Sequence, residues 1–133
     1  MVIPIHYDLC DETDAVPSKV DEAEEDVIVS KMIDLLANKS NEESARILKK
    51  LELQLVKATT KQSICLYFLC ETLQELLHLN DLLTSGRLKS AFESIFSQLL
   101  STVEKPRLIK VAPSLSIDTY EKCKKYFEGE FLG

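Results

Sequence analysis

Glycine and proline are scarce in this chain of 133 residues, three and four respectively, a composition that argues against a turn-rich β sandwich or barrel and suits helices joined by short loops. No phosphate-cradling loop, Gly-x-Ser-x-Gly elbow or His-Glu-x-x-His helix is present. Histidine is nearly missing, with His6 and His78 the only two. His6 and Cys10 offer two metal ligands, but nothing nearby completes a set. No pair of carboxylates stands in a recognisable catalytic context, so the reading is a non-enzymatic protein with no cofactor and no metal. Long apolar runs are absent as well. The longest, Ile64–Cys70, stops at Glu71, well short of the ~20 residues a membrane helix needs. The N-terminus lacks a basic region followed by an apolar one, so no secretory signal is expected. A nuclear or cytoplasmic protein without membrane insertion follows.

The four cysteines fit that setting. Cys10, Cys65, Cys70 and Cys123 show no short pair of the zinc-binding kind. They read as reduced thiols, buried where free cysteine behaves as a small hydrophobe.

Charge is unevenly distributed. The net charge is −6, yet residues 1–26 hold nine acids against Lys19 alone, and the remainder is slightly basic. Residues 1–20 read as an acidic leader, either partly disordered or an extended arm, ahead of a single helical domain over 21–133. Such a leader either aids solubility or lies over a basic groove and competes with an anionic ligand.

Hydrophobic periodicity predicts an all-α fold, a right-handed stack of about five to eight helices. Asp21 or Ser18 caps the first, whose stripe includes Val27, Ile28, Met32 and Leu35. Apolar residues recur from Ala45 through Leu51 and Leu55 to Ala58 at steps of three and four, predicting a second helix. The apolar stretch up to Leu79 predicts a central third, burying Leu66, Phe68, Leu69, Leu73 and Leu76. A fourth spans Arg87–Val103 and buries Leu88, Phe92, Ile95, Phe96, Leu99 and Leu100. Pro106 opens a short helix over Leu108–Val111, and a last helix runs from a Ser116 cap to Gly129.

Polar residues inside the apolar third segment are the most suggestive. Tyr67, Glu71 and Gln74 follow at steps of four and three and share one stripe if the segment is helical. That stripe is either the helix's solvent-facing strip or the floor of a peptide groove. Two cationic clusters, Lys105, Arg107, Lys110 and Lys122, Lys124, Lys125, offer anion contacts. Nucleic acid is not the favoured partner, because Tyr120, Tyr126 and Phe127 read as core and rim rather than a stacking platform.

The segment Leu66-Tyr67-Phe68-Leu69-Cys70-Glu71-Thr72-Leu73-Gln74 resembles the central-helix motif, roughly Leu-Tyr-Leu-Leu-Asn-Asp-Val-Val-Gln, of the domains that bind the C-terminal repeat tail of RNA polymerase II, members of the VHS/ENTH-like helical adaptor superfamily. The Lys57-Ala58 step and Arg107–Val111 fall at similar spacings, and the likeness covers residues 24–128. Where that family has Asn-Asp, this chain has Cys70-Glu71. The resemblance implies a right-handed helical adaptor for an extended, phosphorylated or unphosphorylated peptide such as a polymerase tail repeat. Glu71 and Gln74 would hold the peptide backbone, Tyr67 would shape the floor, and Arg107 and Lys110 would meet phosphate. The alternative is a structural subunit that docks a partner helix on an apolar groove.

Overall fold

A computed structural model of the chain describes residues 1–36, 42–60, 63–101 and 103–129. The fold is mixed, five helices on a five-stranded antiparallel sheet among the described residues. The all-α helical-repeat expectation is therefore overturned.

The first eleven residues are the centre of the sheet rather than a leader beside it. Strand β1 (Val2–Asp11) buries Ile3, Ile5, Tyr7 and Leu9 and turns His6 and Asp8 to solvent, the two-residue alternation of a half-covered strand. Its first half pairs with β4 (Ile64–Leu69), its second half with β5 (Ile109–Ser114), and its end with the two-residue β2 (Ser18–Lys19). Strand β3 (Leu55–Thr60) pairs with the far side of β4. The chain start is fastened to this sheet, the Met1 ammonium donating to the Cys70 carbonyl at 3.0 Å and the Cys70 N–H to the Met1 carbonyl at 2.8 Å.

Helices α1 (Glu22–Leu36), α2 (Glu42–Lys50), α3 (Leu73–Thr84), α4 (Arg87–Leu100) and α5 (Ile117–Phe127) complete the fold. Helix α1 packs on β3, α4 on β5, and α1, α2 and α3 each contact α4. Between helices and sheet, the rings of Tyr7, Phe68, Phe92 and Phe96 meet at centroid distances of 5.1 to 6.1 Å, in tilted and edge-on arrangements that favour the ring quadrupoles.

Several expected helix features are present. Asp21 accepts from the Glu24 N–H at 2.8 Å and caps α1. Helix α4 buries Leu88, Phe92, Ile95, Phe96 and Leu99. Ser116 caps α5, and Gly129 beyond its end adopts φ 84°. Of the expected core, Leu66, Phe68 and Leu76 are fully buried, whereas Leu69 and Leu73 are only partly so.

The second and third expected helices are where the reading fails. Helix α2 ends at Lys50, and Glu52 follows in the left-handed region at φ 56°, a stop that glycine usually signals. The chain then becomes β3. A bulge between Leu55 and Lys57 lets Leu55 and Ala58 both face inward, three residues apart, so a bulged strand imitates a helical step. Strand β4 is apolar on both faces, with Cys65 buried on the side opposite Leu66 and Phe68; periodicity alone does not separate such a strand from a buried helix. The short helix expected over Leu108–Val111 is likewise strand β5.

The outer edge of β5 is closed to further strand pairing. The Ile109 N–H donates to Ser97 Oγ at 2.9 Å and the Val111 N–H to Glu93 Oε2 at 3.0 Å, both on α4. Pro113 has no N–H to offer. An edge so covered resists the edge-to-edge association that exposed strands invite. Among the described residues, no helix is long and apolar enough to cross a membrane.

Candidate functional site

Among the described residues, the strand side chains that alternate with the buried core positions form a second face of the sheet, which is open at several of them. Cross-strand register sets out its composition. One row places Ser114 beside His6 and His6 beside Cys65; a second places Pro4 beside Tyr67 and Tyr67 beside Lys57; a third places Lys110 beside Cys10 and Cys10 beside Lys19. His6, Asp8, Lys19, Lys57, Ala112 and Ser114 are exposed. The Lys57 ammonium stands 5.3 Å from the centroid of the Tyr67 ring, a cation–π contact that holds the ring against the sheet. Burial raises the Cys65 thiol above its ordinary range, and a hydrogen bond with Tyr67 and the charge of Lys57 only partly offset this. Cys65 is therefore a neutral packing group beneath the row, not a nucleophile.

Of the five residues proposed from sequence, the fold brings Tyr67 and Lys110 onto this open face. The others lie elsewhere. Glu71 and Gln74 are exposed around the start of α3. There Thr72 accepts from the Glu75 N–H at 3.1 Å while the Glu75 carboxylate accepts from the Glu71 N–H at 2.8 Å, a reciprocal arrangement close to a capping box. The stripe of Tyr67, Glu71 and Gln74 therefore does not exist: one member is in a strand, one in a loop and one in a helix.

Arg107 is occupied. Its guanidinium bonds to Asp11 at the end of β1 and lies 2.6 Å from Glu24 in the first turn of α1. Its side chain is only 17% exposed. The hydrogen bond it donates to Glu24, followed by the one it donates to Asp11, raises its pKa despite the opposing effect of burial. For Asp11 burial works upward, but hydrogen bonds from Thr13 and Arg107 outweigh it and hold the carboxyl below its ordinary value. Arg107 thus joins β1, α1 and the segment before β5, and has no free fork for a phosphate. Lys110 is half available, its ammonium 3.9 Å from Glu93 Oε1 with the side chain 42% exposed.

Several recesses also indent the surface, among them a cleft lined by Glu52, Gln54, Leu69, Cys70 and Glu75. Leu35, Ala45, Leu48, Leu53 and Leu55 line a shallow apolar groove of about 330 Å³ between α1, α2 and β3, with Lys49 on its rim. Glu22, Glu25, Asp26 and Thr60 line a smaller acidic notch. Among the described residues, no three His, Cys, Asp or Glu side chains are placed to hold a metal ion. Sequence reasoning weighed His6 only as a metal ligand beside Cys10 and missed its place on this face, along with Lys57 and the acidic notch. The alternation of Ile3, Ile5, Tyr7 and Leu9 was the available signal for the first of these.

Comparison of the chain with protein-family models, with curated proteins and with solved structures returns no match.

Proposed function

We propose that this domain is a non-enzymatic protein-interaction module that presents the open face of its sheet to an acidic, extended partner segment, of which a phosphorylated Ser/Pro repeat peptide is one form. The observation that carries the reading is the charge of that face. In a chain of net charge −6, it carries Lys57 beside Tyr67 toward one end and Lys19 and Lys110 on either side of Cys10 toward the other, with Asp8 as the one acid among the residues named above. A face with cations spaced along it and an aromatic ring at one end steers and orients an extended anionic partner. The helical groove imagined from sequence has no counterpart here, so the peptide reading passes to the sheet. Buried, unpaired thiols at Cys65, Cys70 and Cys123 support a nuclear or cytoplasmic setting, where thiols stay reduced.

The test is a titration of labelled phosphorylated and unphosphorylated Ser/Pro repeat peptides by fluorescence anisotropy, against wild type, Lys57→Glu and Tyr67→Ala. The phosphorylated peptide is expected to bind more tightly, with Lys57→Glu weakening it by about tenfold, the scale of one charge-assisted hydrogen bond, and with a marked salt dependence. Absence of binding below millimolar concentration sinks this reading.

The apolar groove favours a second reading, a subunit that docks an amphipathic partner helix there. Arg46, Lys49 and Lys50 on α2 would meet acidic residues flanking the helix's apolar stripe. Leu48→Asp would abolish that association and leave peptide binding on the sheet untouched.

A further inference from the structure

The acidic notch contains a carboxylate that the fold does not account for. Glu25, in the first turn of α1, is 9% exposed, and among the described residues its side chain has no hydrogen bond and no ion pair. Charged groups so far buried are normally paired, because desolvation without a partner is costly. Its neighbours offer no relief. Glu22 and Asp26 line the same notch of about 120 Å³, and Asp26 is already engaged, accepting from the Thr60 hydroxyl at 3.0 Å. Burial, then repulsion from Glu22, Asp26 and Asp8, raises the Glu25 pKa, while Lys19 opposes the shift without forming a bridge. The notch is thus a recess of concentrated negative potential with an unpaired acceptor at its wall.

We infer that this notch is a subsite for a guanidinium carried on a partner protein, the arginine head entering between Glu22, Glu25 and Asp26 with Glu25 as its principal acceptor. The dispersal of the carboxylates decides between cation classes. A bare divalent ion requires several oxygens within about 2.0–2.6 Å of one point, and no three acidic groups here are close enough to supply them. A planar guanidinium has five N–H donors spread over its fork and reaches acceptors that are further apart. Its arrival would give Glu25 the charge-assisted bonds it lacks. The inference goes beyond the function proposed above, since it concerns a surface of opposite charge and a different partner group.

The experiment uses the full chain, labelled with nitrogen-15, and three probes: a blocked Gly-Arg-Gly peptide, its citrulline counterpart of the same shape but no charge, and agmatine as a free guanidinium. The arginine peptide should produce saturable shifts confined to the amides of Glu22, Glu25, Asp26 and Thr60, with a dissociation constant on the order of millimolar, as fits one side chain. Citrulline should produce none. Glu25→Gln should weaken the arginine peptide by about tenfold or more, and Glu22→Gln, at an exposed position, by less. The unchanged remainder of the spectrum shows that each variant is folded. Absence of saturation, equal binding of citrulline, or indifference to Glu25→Gln overturns the site. Tighter binding of agmatine than of the peptide overturns a protein as its source.

Discussion

Replacing Arg107 by alanine should destabilise the fold by about 2–4 kcal/mol. Arg107 bridges Asp11 and Glu24, whose side chains are 15% and 29% exposed. Removing one partner of a fully buried pair costs roughly 3–5 kcal/mol, most of it the cost of the charge left behind. Here two carboxylates are left behind, but both keep some contact with water, and solvent screening reduces each contribution. Asp11 also keeps its bonds from the Thr13 hydroxyl and N–H. These considerations place the loss near the scale of one or two hydrogen bonds to charged groups, about 1.5–3 kcal/mol each. For a domain of this size the loss corresponds to a fall in Tm of roughly 6–16 °C.

Acid reveals whether electrostatics is the cause. The folded-state pKa of Asp11 is depressed, so its contribution is fully present above the unfolded value, near 3.9, and is lost as pH falls through the depressed value. In Arg107→Ala the part of that contribution that comes from Arg107 is missing at neutral pH, while the bonds from Thr13 remain. Wild type and variant should therefore converge as the carboxylates become protonated below about pH 4. Urea unfolding followed by circular dichroism at a series of pH values reads both effects. A loss below about half a kcal/mol at pH 7, the scale of an ordinary surface change, would refute the reasoning. So would a loss that stays the same in acid, which would mean that Arg107 acts through packing of its stem.

Three further outcomes are expected. Phe92→Ala, which removes the ring touching Tyr7, Phe68 and Phe96, should cost about 3–5 kcal/mol in urea unfolding, and a cost under about 1 kcal/mol would mean that the cluster is not the core's centre. Tyr7→Phe should be neutral or stabilising by the same measurement, because the fully buried Tyr7 hydroxyl has no partner among the described residues and removing an unsatisfied polar atom relieves its desolvation; a clear destabilisation would expose a partner. Glu25→Gln should raise Tm at pH 7, since a carboxyl whose folded pKa is raised contributes stability below its unfolded value that is lost as pH rises through the folded one. That gain should vanish near pH 4, where glutamate too is largely neutral, and a gain that persists in acid would point to a steric cause.

What the sequence made legible follows from which physical signals are local. Helices α1, α4 and α5 were readable from the apolar stripe along each segment, with a polar cap at Asp21 for α1 and at Ser116 for α5, where Gly129 follows the end. The strands were not, for three separate reasons. In β3 the bulge sets Leu55 and Ala58 at a helix-like spacing. In β4 both faces are apolar because the open side still covers Cys65. In β1 the alternation is plain, but the acids of residues 8–14 weigh toward a solvated leader, and only long-range pairing with residues 64–69 and 109–114 overrides that impression. The same non-local pairing decided the candidate site. Tyr67 and Lys110 reach one surface through their shared neighbour β1 and not through any spacing between them. Arg107 was recognisable as a residue suited to anions. The sequence did not reveal that its anions are Asp11 and Glu24, because that depends on where β1 ends and α1 begins in space. A cation near a helix start is therefore a weak pointer to a ligand until the carboxylates folded against it are known. The stronger pointer is the converse found at Glu25, a buried charge for which the described residues supply no partner.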